Sequence, residues 1–297
     1  MTLRSRFSYT SARGCGRSAA IVIINPCRER TIGESLMRKS KDASETDVQE
    51  MYILDAGNID LDQSSLTAGH GMGQTVRVPT PMALIRTRQG NVLFDTGWSP
   101  EMVPVLEQLG YNPSITDEHA PPSRLAELGL KPDDIRYVVL SHLHVDHAGG
   151  IQFLPNAEFI VQQSELRYAF HPHSFNALVY NRTDFDFPSF NWKHVDGDQV
   201  LMPGLSIVLA NGHSAGLQAL VVDLPETGVI VLGSDCCYTT KNIEEEIIPG
   251  FVWDPTLALH SITKLKTLAS LLNGQIFPGH DMEFWNTTLR KSPESYR

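Results

Sequence analysis

The chain has 297 residues, of which 41% are hydrophobic and 20% charged, and its formal net charge is −10. This composition is typical of a soluble globular protein with enough residues for one large α/β domain. The negative charge argues against nucleic acid or an anionic membrane surface as the main partner. No apolar run approaches the length of a membrane-spanning helix, so we expect no membrane association.

Four cysteines are present, and their pattern does not resemble a disulfide framework. Cys236 and Cys237 are neighbours, which rarely bond to each other, and Cys15 and Cys27 lie in an atypical N-terminal segment. A reducing compartment is therefore the simpler interpretation, and we expect the protein to be cytoplasmic. No zinc-ribbon spacing occurs, so any metal must depend on histidine and carboxylate ligands.

Residues 1–49 differ in composition from the rest of the chain. Up to Lys41 there are nine basic and two acidic residues, which leaves the remainder with a net charge of −17. Such an Arg- and Ser-rich, acid-poor segment is compatible with a targeting peptide. We favour a disordered extension or a start codon placed too early, with Met37 or Met51 as the working start. A single folded domain is expected to span residues 50–297.

Short strands alternate with helices along this domain. Residues 82–87 and 91–94 flank Arg88-Gln89-Gly90 and predict a hairpin. Asp254 is expected to cap a long helix, with Pro255 at its first position, that ends at Asn273-Gly274. Residues 171–196 are aromatic and irregular, which is typical of a lid or binding loop. The remaining predictions are strands at 51–57, 135–140, 157–161, 205–210, 217–222, 229–232 and 275–277, and helices at 101–109, 124–130 and 164–170.

Three histidines and an aspartate lie within six residues after the predicted strand 135–140, namely His142, His144, Asp146 and His147. Alternate residues of a strand project to one side, so His142 and His144 are expected to point together. The following loop would turn Asp146 and His147 toward the same point. Neutral imidazole and carboxylate suit zinc, iron, cobalt or manganese. A merely polar loop is the less favoured interpretation, because packing alone rarely requires such a cluster.

A polar residue in a glycine-bearing loop follows three further strands, at His213, Asp235 and His280. Loops at strand ends converge in layered α/β folds. Seven candidate ligands are too many for one tetrahedral zinc but are enough for two ions if Asp235 bridges them. Each ion would then take three further ligands, namely His142, His144 and His213 for one, and Asp146, His147 and His280 for the other. Two dications would generate hydroxide from water at neutral pH, which indicates a hydrolytic site.

Asp95 ends the strand 91–94 and has two interpretations of equal weight. Its carboxylate either orients a ligand histidine or caps a turn. His171, His173 and His194 are instead expected to be surface or lid residues.

Taken together, the motifs resemble those of the metallo-β-lactamase superfamily. The chain is more similar still to the N-acyl homoserine lactonases and γ-butyrolactone lactonases, over residues 52–296. That likeness rests on Asp62-Gln-Ser64-Ser65, the Ser141–Gly150 motif, Asp235-x-x-Tyr238, Pro249-Gly250-Phe251 and Gly279-His280-Asp281. The resemblance implies an αβ/βα sandwich of two facing mixed sheets with outer helices. It also implies two divalent metal ions, usually zinc, a small lactone as substrate, and compatibility with a homodimer.

The resemblance also places Tyr238 at the position of the family's catalytic tyrosine. Its phenol is expected to donate a hydrogen bond to the substrate carbonyl oxygen. A metal-bridging hydroxide would attack the lactone carbonyl, and Asp146 would shuttle the proton to the leaving ring oxygen. Cys236 and Cys237 stand where small residues are expected and are predicted to pack in the core, although a thiol near a metal could bind it or be oxidised.

Several functions remain open on such a scaffold, because fold alone does not determine chemistry. The first alternative is hydrolysis of a small γ-lactone such as γ-butyrolactone. The second is glyoxalase II-like thioester hydrolysis, which would need a basic glutathione-binding cluster, and Lys264, Lys266 and Arg290 form no clear motif of that kind. A non-catalytic metal-binding module is the least favoured. The loop 62–80 and the aromatic stretch 171–196 are expected to form the pocket walls.

Overall fold

The computed structural model describes residues 46–297. Most of the segment predicted to be an N-terminal extension or targeting peptide, including Cys15, Cys27 and Met37, lies outside the described residues. The first strand begins at Val48, within the last residues of that segment. Buried Thr46 donates a hydrogen bond from Oγ1 to the carbonyl of Asp223, 2.9 Å away, and so joins this end of the chain to the domain.

Two mixed sheets form the centre of the domain. The first has six strands in the order β1-β2-β3-β4-β5-β6, antiparallel up to β3 and parallel from β3 onward. The second has five strands in the order β11-β10-β9-β8-β7, with only the β10–β11 pair parallel. The strands are β1 (Val48–Asp62), β2 (Thr75–Thr87), β3 (Asn91–Phe94), β4 (Ile135–Val139), β5 (Glu158–Gln162), β6 (Asn191–Val195), β7 (Gln199–Met202), β8 (Leu205–Leu209), β9 (Gln218–Leu224), β10 (Gly228–Ser234) and β11 (Gln275–Pro278).

Nine α-helices lie in the described part of the chain, together with five short 3-10 turns. Most are a single turn or two, and only the eighth is long. They are α1 (Gln63–Leu66), α2 (Val103–Gln108), α3 (Pro121–Ala126), α4 (Val145–Ala148), α5 (Gln163–Phe170), α6 (Arg182–Phe185), α7 (Thr240–Glu245), α8 (Pro255–Leu271) and α9 (Met282–Thr287). None of these helices is long and apolar enough to cross a membrane.

Apolar side chains fill three layers, because the strands alternate their residues between two buried faces. Val139 of β4 points between the sheets and packs in one cluster with Ile207 and Leu220 of the second sheet. Its neighbour Val138 points outward and packs with Ala169 of α5. On the opposite outer face, the second sheet is covered by α8. The predicted αβ/βα sandwich is therefore confirmed.

The predicted bounds of strands and helices agree best with the structure where a turn residue or a helix-capping residue marks them. The hairpin is present, with Ala83 opposite Phe94. Asp254 caps α8 by accepting from the amides of Thr256 and Leu257, as predicted. Three helix boundaries shift by a few residues: α2, α3 and α5 begin at 103, 121 and 163 instead of 101, 124 and 164.

Two predictions of irregular structure were wrong. Residues 171–196 contain α6 and the edge strand β6, which pairs in parallel with β5. The strand was missed because most side chains of Asn191–Val195 are exposed, so its sequence has no clear hydrophobic alternation. The loop beginning at Asp62 also contains the helical turn α1, which Asp62 caps by accepting from the amide of Ser64.

Candidate active site

The histidine-rich motif leaves the first sheet just after β4. The strand ends at Val139, and the amide of Ser141 bonds to the Asp95 carboxylate, 2.7 Å away, instead of to a neighbouring strand. His142 and His144 therefore lie in a loop, not on the strand as predicted. Asp146 and His147 were predicted in a loop but belong to the helical turn α4.

Three other strand ends supply the remaining predicted residues. His213 follows β8, Asp235 follows β10, and His280 follows β11. Gly212 has φ +132°, and a Cβ there would lie 2.1 Å from the amide nitrogen of Ala258, so only glycine fits before His213. Ser234 also adopts a left-handed φ of 45° immediately before Asp235, a conformation uncommon for serine. Backbone geometry at both positions thus sets the direction of the next side chain.

One group of candidate ligands consists of three buried imidazoles with one carboxylate oxygen. The Nε2 of His213 lies 3.0 Å from the Nδ1 of His144 and 3.3 Å from the Oδ2 of Asp235. The Nε2 of His142 is 3.8 Å from the same Oδ2. One ligand atom from each of these four residues lies within 4.8 Å of the others. We call this set the imidazole half.

The second group joins two imidazoles to two carboxylates. The Nε2 atoms of His147 and His280 are each 3.1 Å from the Oδ1 of Asp235. They are 3.3 Å and 3.6 Å from the Oδ2 of Asp146. We call this set the carboxylate half. Asp235 presents one oxygen to each half, so the structure brings all seven predicted residues together in the two sets expected from the sequence.

The chemistry of this donor set fits divalent metal ions. The Nε2 atom of His142, which faces Asp235, is buried and has no hydrogen-bond partner. Orphaned buried nitrogens of this kind are costly unless another group binds them. Imidazole nitrogens together with carboxylate oxygens are ligands for zinc and for other first-row metals. The two halves could therefore each hold one ion.

Electrostatic surroundings differ between the halves. Burial lowers the pKa of His142, His144 and His213, and neighbouring imidazoles add to that effect. Burial also opposes protonation of His147 and His280, but the nearby carboxylates outweigh it and raise both pKa values. The metal-free imidazole half thus favours neutral histidines, and the carboxylate half favours protonated ones.

Hydrogen bonds to the far ring nitrogens orient three of the histidines. The Nδ1 of His280 lies 2.7 Å from the carbonyl of Pro79, and that of His213 lies 2.9 Å from the carbonyl of Phe251. A carbonyl only accepts, so each Nδ1 must donate, which leaves the Nε2 of a neutral ring free for a metal. Asp95 does the same for His147, with 2.8 Å between Oδ2 and Nδ1.

These orienting partners were only partly visible in the sequence. Asp95 also accepts a hydrogen bond from the hydroxyl of Ser141, 2.8 Å away. Its contact with the Nδ1 of His147 is the one expected of a carboxylate that orients a ligand histidine. Pro79 and Phe251 act through their backbone carbonyls, for which the sequence contains no signal. The buried carboxylate of Glu165 was also missed. The sequence Gln162-Gln163-Ser164-Glu165 gives it no distinguishing feature beyond its place at the start of a helix.

Tyr238 lies beside both halves of the site. Its ring centroid is 5.4 Å from that of His213 and 5.0 Å from that of His280. Burial and the charges of Asp235 and Asp146 raise the pKa of its phenol well above the ordinary value. The hydroxyl therefore stays protonated near neutral pH and can act as a hydrogen-bond donor.

The other singled-out residues divide between core and surface. Cys236 and Cys237 are buried free thiols in the apolar cluster between the second sheet and α8, as predicted. His171, His173 and His194 are exposed, as predicted. The aromatic stretch does reach the site, because the Tyr180 ring packs edge-on against His144 with 4.7 Å between centroids.

Comparisons with known proteins agree with this arrangement. The metallo-beta-lactamase superfamily profile matches residues 75–280. The N-acyl homoserine lactonase AttM of Azorhizobium caulinodans is 33% identical over 265 residues, covering 84% of this chain and 99% of its own. The N-acyl homoserine lactonase AiiA of Bacillus thuringiensis subsp. kurstaki is 34% identical over 245 residues, covering 80% and 94%.

A solved structure matches the fold over the same range. It is an N-acyl homoserine lactone hydrolase with the product N-hexanoyl-L-homoserine bound at its catalytic metal centre. It is 32% identical, covers 84% of this chain and 100% of its own, and superposes with a TM-score of 0.77. The chain therefore belongs to the metallo-β-lactamase superfamily and is homologous to its N-acyl homoserine lactonases.

Proposed function

We propose that this protein hydrolyses the lactone ring of N-acyl homoserine lactones and so acts as a quorum-quenching enzyme. The observation that carries the proposal is the sharing of Asp235 between two sets of buried ligands, each suited to one divalent ion. The homologous lactonases, which are similar over most of this chain, supply the substrate class.

The proposed ligands are the seven residues of the two halves, and the proposed ions are zinc. Six side chains divide evenly between the halves, and Asp235 serves both. Zinc suits this mixture of imidazole nitrogen and carboxylate oxygen, while iron, cobalt and manganese accept the same ligands. Metal analysis of the purified protein distinguishes these ions directly.

Bound divalent ions lower the pKa of coordinated water and polarise a carbonyl group, which is the chemistry that opening an ester ring requires. The protein must then hold the substrate and move a proton. In our proposal, the Tyr238 phenol donates a hydrogen bond to the lactone carbonyl oxygen and stabilises the negative charge that develops there. Its raised pKa keeps that proton on the phenol.

Asp146 is the proposed proton carrier. Its side chain is 17% exposed, whereas those of Asp235 and His147 are each 2% exposed, so Asp146 lies at the open side of the site. A carboxylate in this position can take the proton from the attacking water and deliver it to the ring oxygen as the ester bond breaks. The product is the ring-opened N-acyl homoserine.

Apolar residues beside Tyr238 support an acyl-bearing substrate. Val145, Leu66 and Trp98 form one cluster with Tyr238, and Leu66 belongs to the segment 62–80. Tyr180, from the segment 171–196, contacts His144 on the other side. We propose that these two segments form the pocket walls around the acyl chain. Both segments thus bring apolar side chains next to the proposed ligands, which suits a substrate that carries an acyl chain.

Proton release from metal-analysed protein tests the proposal, since each ring opening liberates one carboxylic acid. N-decanoyl and N-hexanoyl homoserine lactone, γ-butyrolactone and a glutathione thioester are compared at equal concentration. We expect the acylated lactones to react much faster than the other two. Selective turnover of γ-butyrolactone or of the thioester would instead assign the corresponding alternative, and inactivity toward all four would contradict the proposal.

We also propose that the chain from Thr46 onward forms the catalytic domain and that residues 1–36 are dispensable for hydrolysis. We further propose that the protein is a cytoplasmic homodimer. The two free buried cysteines support a reducing compartment. A chain beginning at Met37 retains Thr46 and all of β1, so we expect it to keep full activity. Light scattering tests the dimer, and fractionation of the native cells tests the compartment.

A further inference from the structure

A fully buried carboxylate, Glu165, lies behind the imidazole half. It is the third residue of α5, directly after β5, and none of its hydrogen bonds comes from one of the seven proposed ligand side chains. Its partners are neutral hydrogen-bond donors: Leu143, Tyr180, Ser214 and Gly216. Burying a charge in this way is costly unless several donors satisfy it.

The two oxygens of Glu165 bind two different loops. Oε1 accepts from the amide of Leu143 at 3.1 Å, the residue between His142 and His144. Oε2 accepts from the hydroxyl of Ser214 at 2.7 Å and from the amide of Gly216 at 2.8 Å, just after His213. One carboxylate thus ties together the two loops that carry all three histidines of the imidazole half.

Two further contacts point to the same task. Tyr180 donates from its hydroxyl to Oε1 at 3.1 Å while its ring packs against His144. Gly216 lies so close to α5 that a Cβ there would be 2.5 Å from the amide nitrogen of Glu165. The loop after His213 is therefore pressed against the start of α5, and no larger residue fits between them.

We propose that Glu165 is a positioning residue that sets the metal affinity of the imidazole half by holding His144 and His213 in their converging geometry. The Nδ1 of His144 and the Nε2 of His213 lie 3.0 Å apart, on loops that follow strands of different sheets. The inference rests on the proposed metal ligands and not on the identity of the lactone.

Glu165→Gln is the informative substitution because it keeps the shape and removes one acceptor. A glutamine must turn its amide nitrogen toward either Leu143 or Gly216. A backbone N–H cannot accept, so one of the two loops loses its bond to α5. Tyr180→Phe is the milder variant, since it removes a single hydroxyl and leaves both backbone bonds in place.

The experiment measures stepwise metal affinities by competition with a chelator, using cobalt whose visible spectrum reports ligand geometry. Glu165→Gln is combined with His213→Ala, which removes one proposed ligand from the imidazole half, and separately with His280→Ala, which removes one from the carboxylate half. Exposed Glu244 provides a matched control, Glu244→Gln. The thermal midpoint of each metal-free protein shows whether it is folded.

We expect Glu165→Gln to weaken the remaining ion about tenfold to a hundredfold in the His280→Ala protein, with a changed cobalt spectrum. In the His213→Ala protein the same substitution should change affinity by less than about threefold, because the hydrogen bonds of Glu165 hold the loops of the imidazole half. Equal weakening in both backgrounds, or none in either, would overturn the inference. If the Glu165→Gln protein does not fold, Tyr180→Phe must weaken metal affinity in the same selective way, by a smaller factor.

Wild-type protein that binds fewer than two ions would overturn the proposed ligand set and this inference together. Protein that binds two ions but opens no lactone would overturn only the proposed substrate, since metal affinity is the measured quantity here. The two failures are therefore distinguishable.

Discussion

The two halves of the site share Asp235 but differ in their other residues and in their electrostatic surroundings. The imidazole half has three histidines whose pKa values burial lowers, and it is held by loops. The carboxylate half contains Asp146 on the helical turn α4, and its histidines have raised pKa values. In the metal-free protein the first half therefore favours neutral histidines, whereas protonated histidines of the second half would have to release their protons before binding a metal.

The supporting carboxylates differ in the same way. Asp95 bonds directly to the His147 ring and thereby favours the charged imidazole. The hydrogen bonds of Glu165 come from backbone amides and hydroxyls around the other half, and none of them joins it to an imidazole. We infer that this division lets a neutral, preformed half and a charged, proton-releasing half lie a few ångströms apart.

Removing the shared carboxylate should have the largest effect. Asp235→Asn keeps the shape but loses the charge that faces both halves, so we expect binding of both ions to fail. Activity should fall at least about a thousandfold, because a loss of several kcal/mol of electrostatic stabilisation costs about tenfold per 1.36 kcal/mol. Metal analysis and proton release measure the two losses, and exposed Asp186→Asn is the control. Retention of two ions would show that Asp235 does not bridge.

Removing one histidine should impair metal binding in one half and leave the other half able to bind its ion. His213→Ala and His280→Ala each delete one ligand from one half. We expect each variant to retain about one ion per chain, with activity reduced on the order of a hundredfold, since second-sphere changes alone already cost about tenfold to a hundredfold. Loss of both ions from either variant would contradict independent halves and would merge them into one cooperative site.

Tyr238→Phe should leave both halves intact and lower turnover alone. The substitution removes only the phenol hydroxyl, and the ring contacts with His213 and His280 remain. Loss of one donor to a developing oxyanion costs about a hundredfold where it acts alone, and we expect about tenfold here because metal ions share the task. Unchanged turnover on every lactone, at full metal content, would remove Tyr238 from the mechanism.

Lowering the pH should release the metal ions from the two halves in a fixed order. Protons compete with metals for imidazole, and the competition becomes effective as the pH falls below the pKa of the ring. The raised pKa values of His147 and His280 place this point at a higher pH than the lowered values of His142, His144 and His213. Metal content measured after dialysis from about pH 8 to about pH 5 should therefore fall in two steps, the carboxylate half first. Loss of both ions in a single step would contradict the proposed electrostatic difference between the halves.

The sequence predicted the seven converging residues because each belongs to a short motif at the end of a hydrophobic strand. His213 illustrates this, since the run 205–210 and the following Asn211-Gly212 mark both the strand and its turn. It did not predict α4, because a single helical turn of four residues has no periodicity to detect. The roles of the Pro79 carbonyl and the Glu165 carboxylate were not predicted from the sequence for another reason. Their roles arise from contacts between residues 201 and 49 positions apart, which no local pattern encodes.

The most direct test of the account is a titration of metal-free protein with zinc while hydrolysis of N-decanoyl homoserine lactone is followed by proton release. If two halves joined by Asp235 form the working site, activity should stay low through the first equivalent, rise with the second, and saturate at about two ions per chain. Full activity at one ion per chain would contradict that claim, because one half alone would then be sufficient for the reaction.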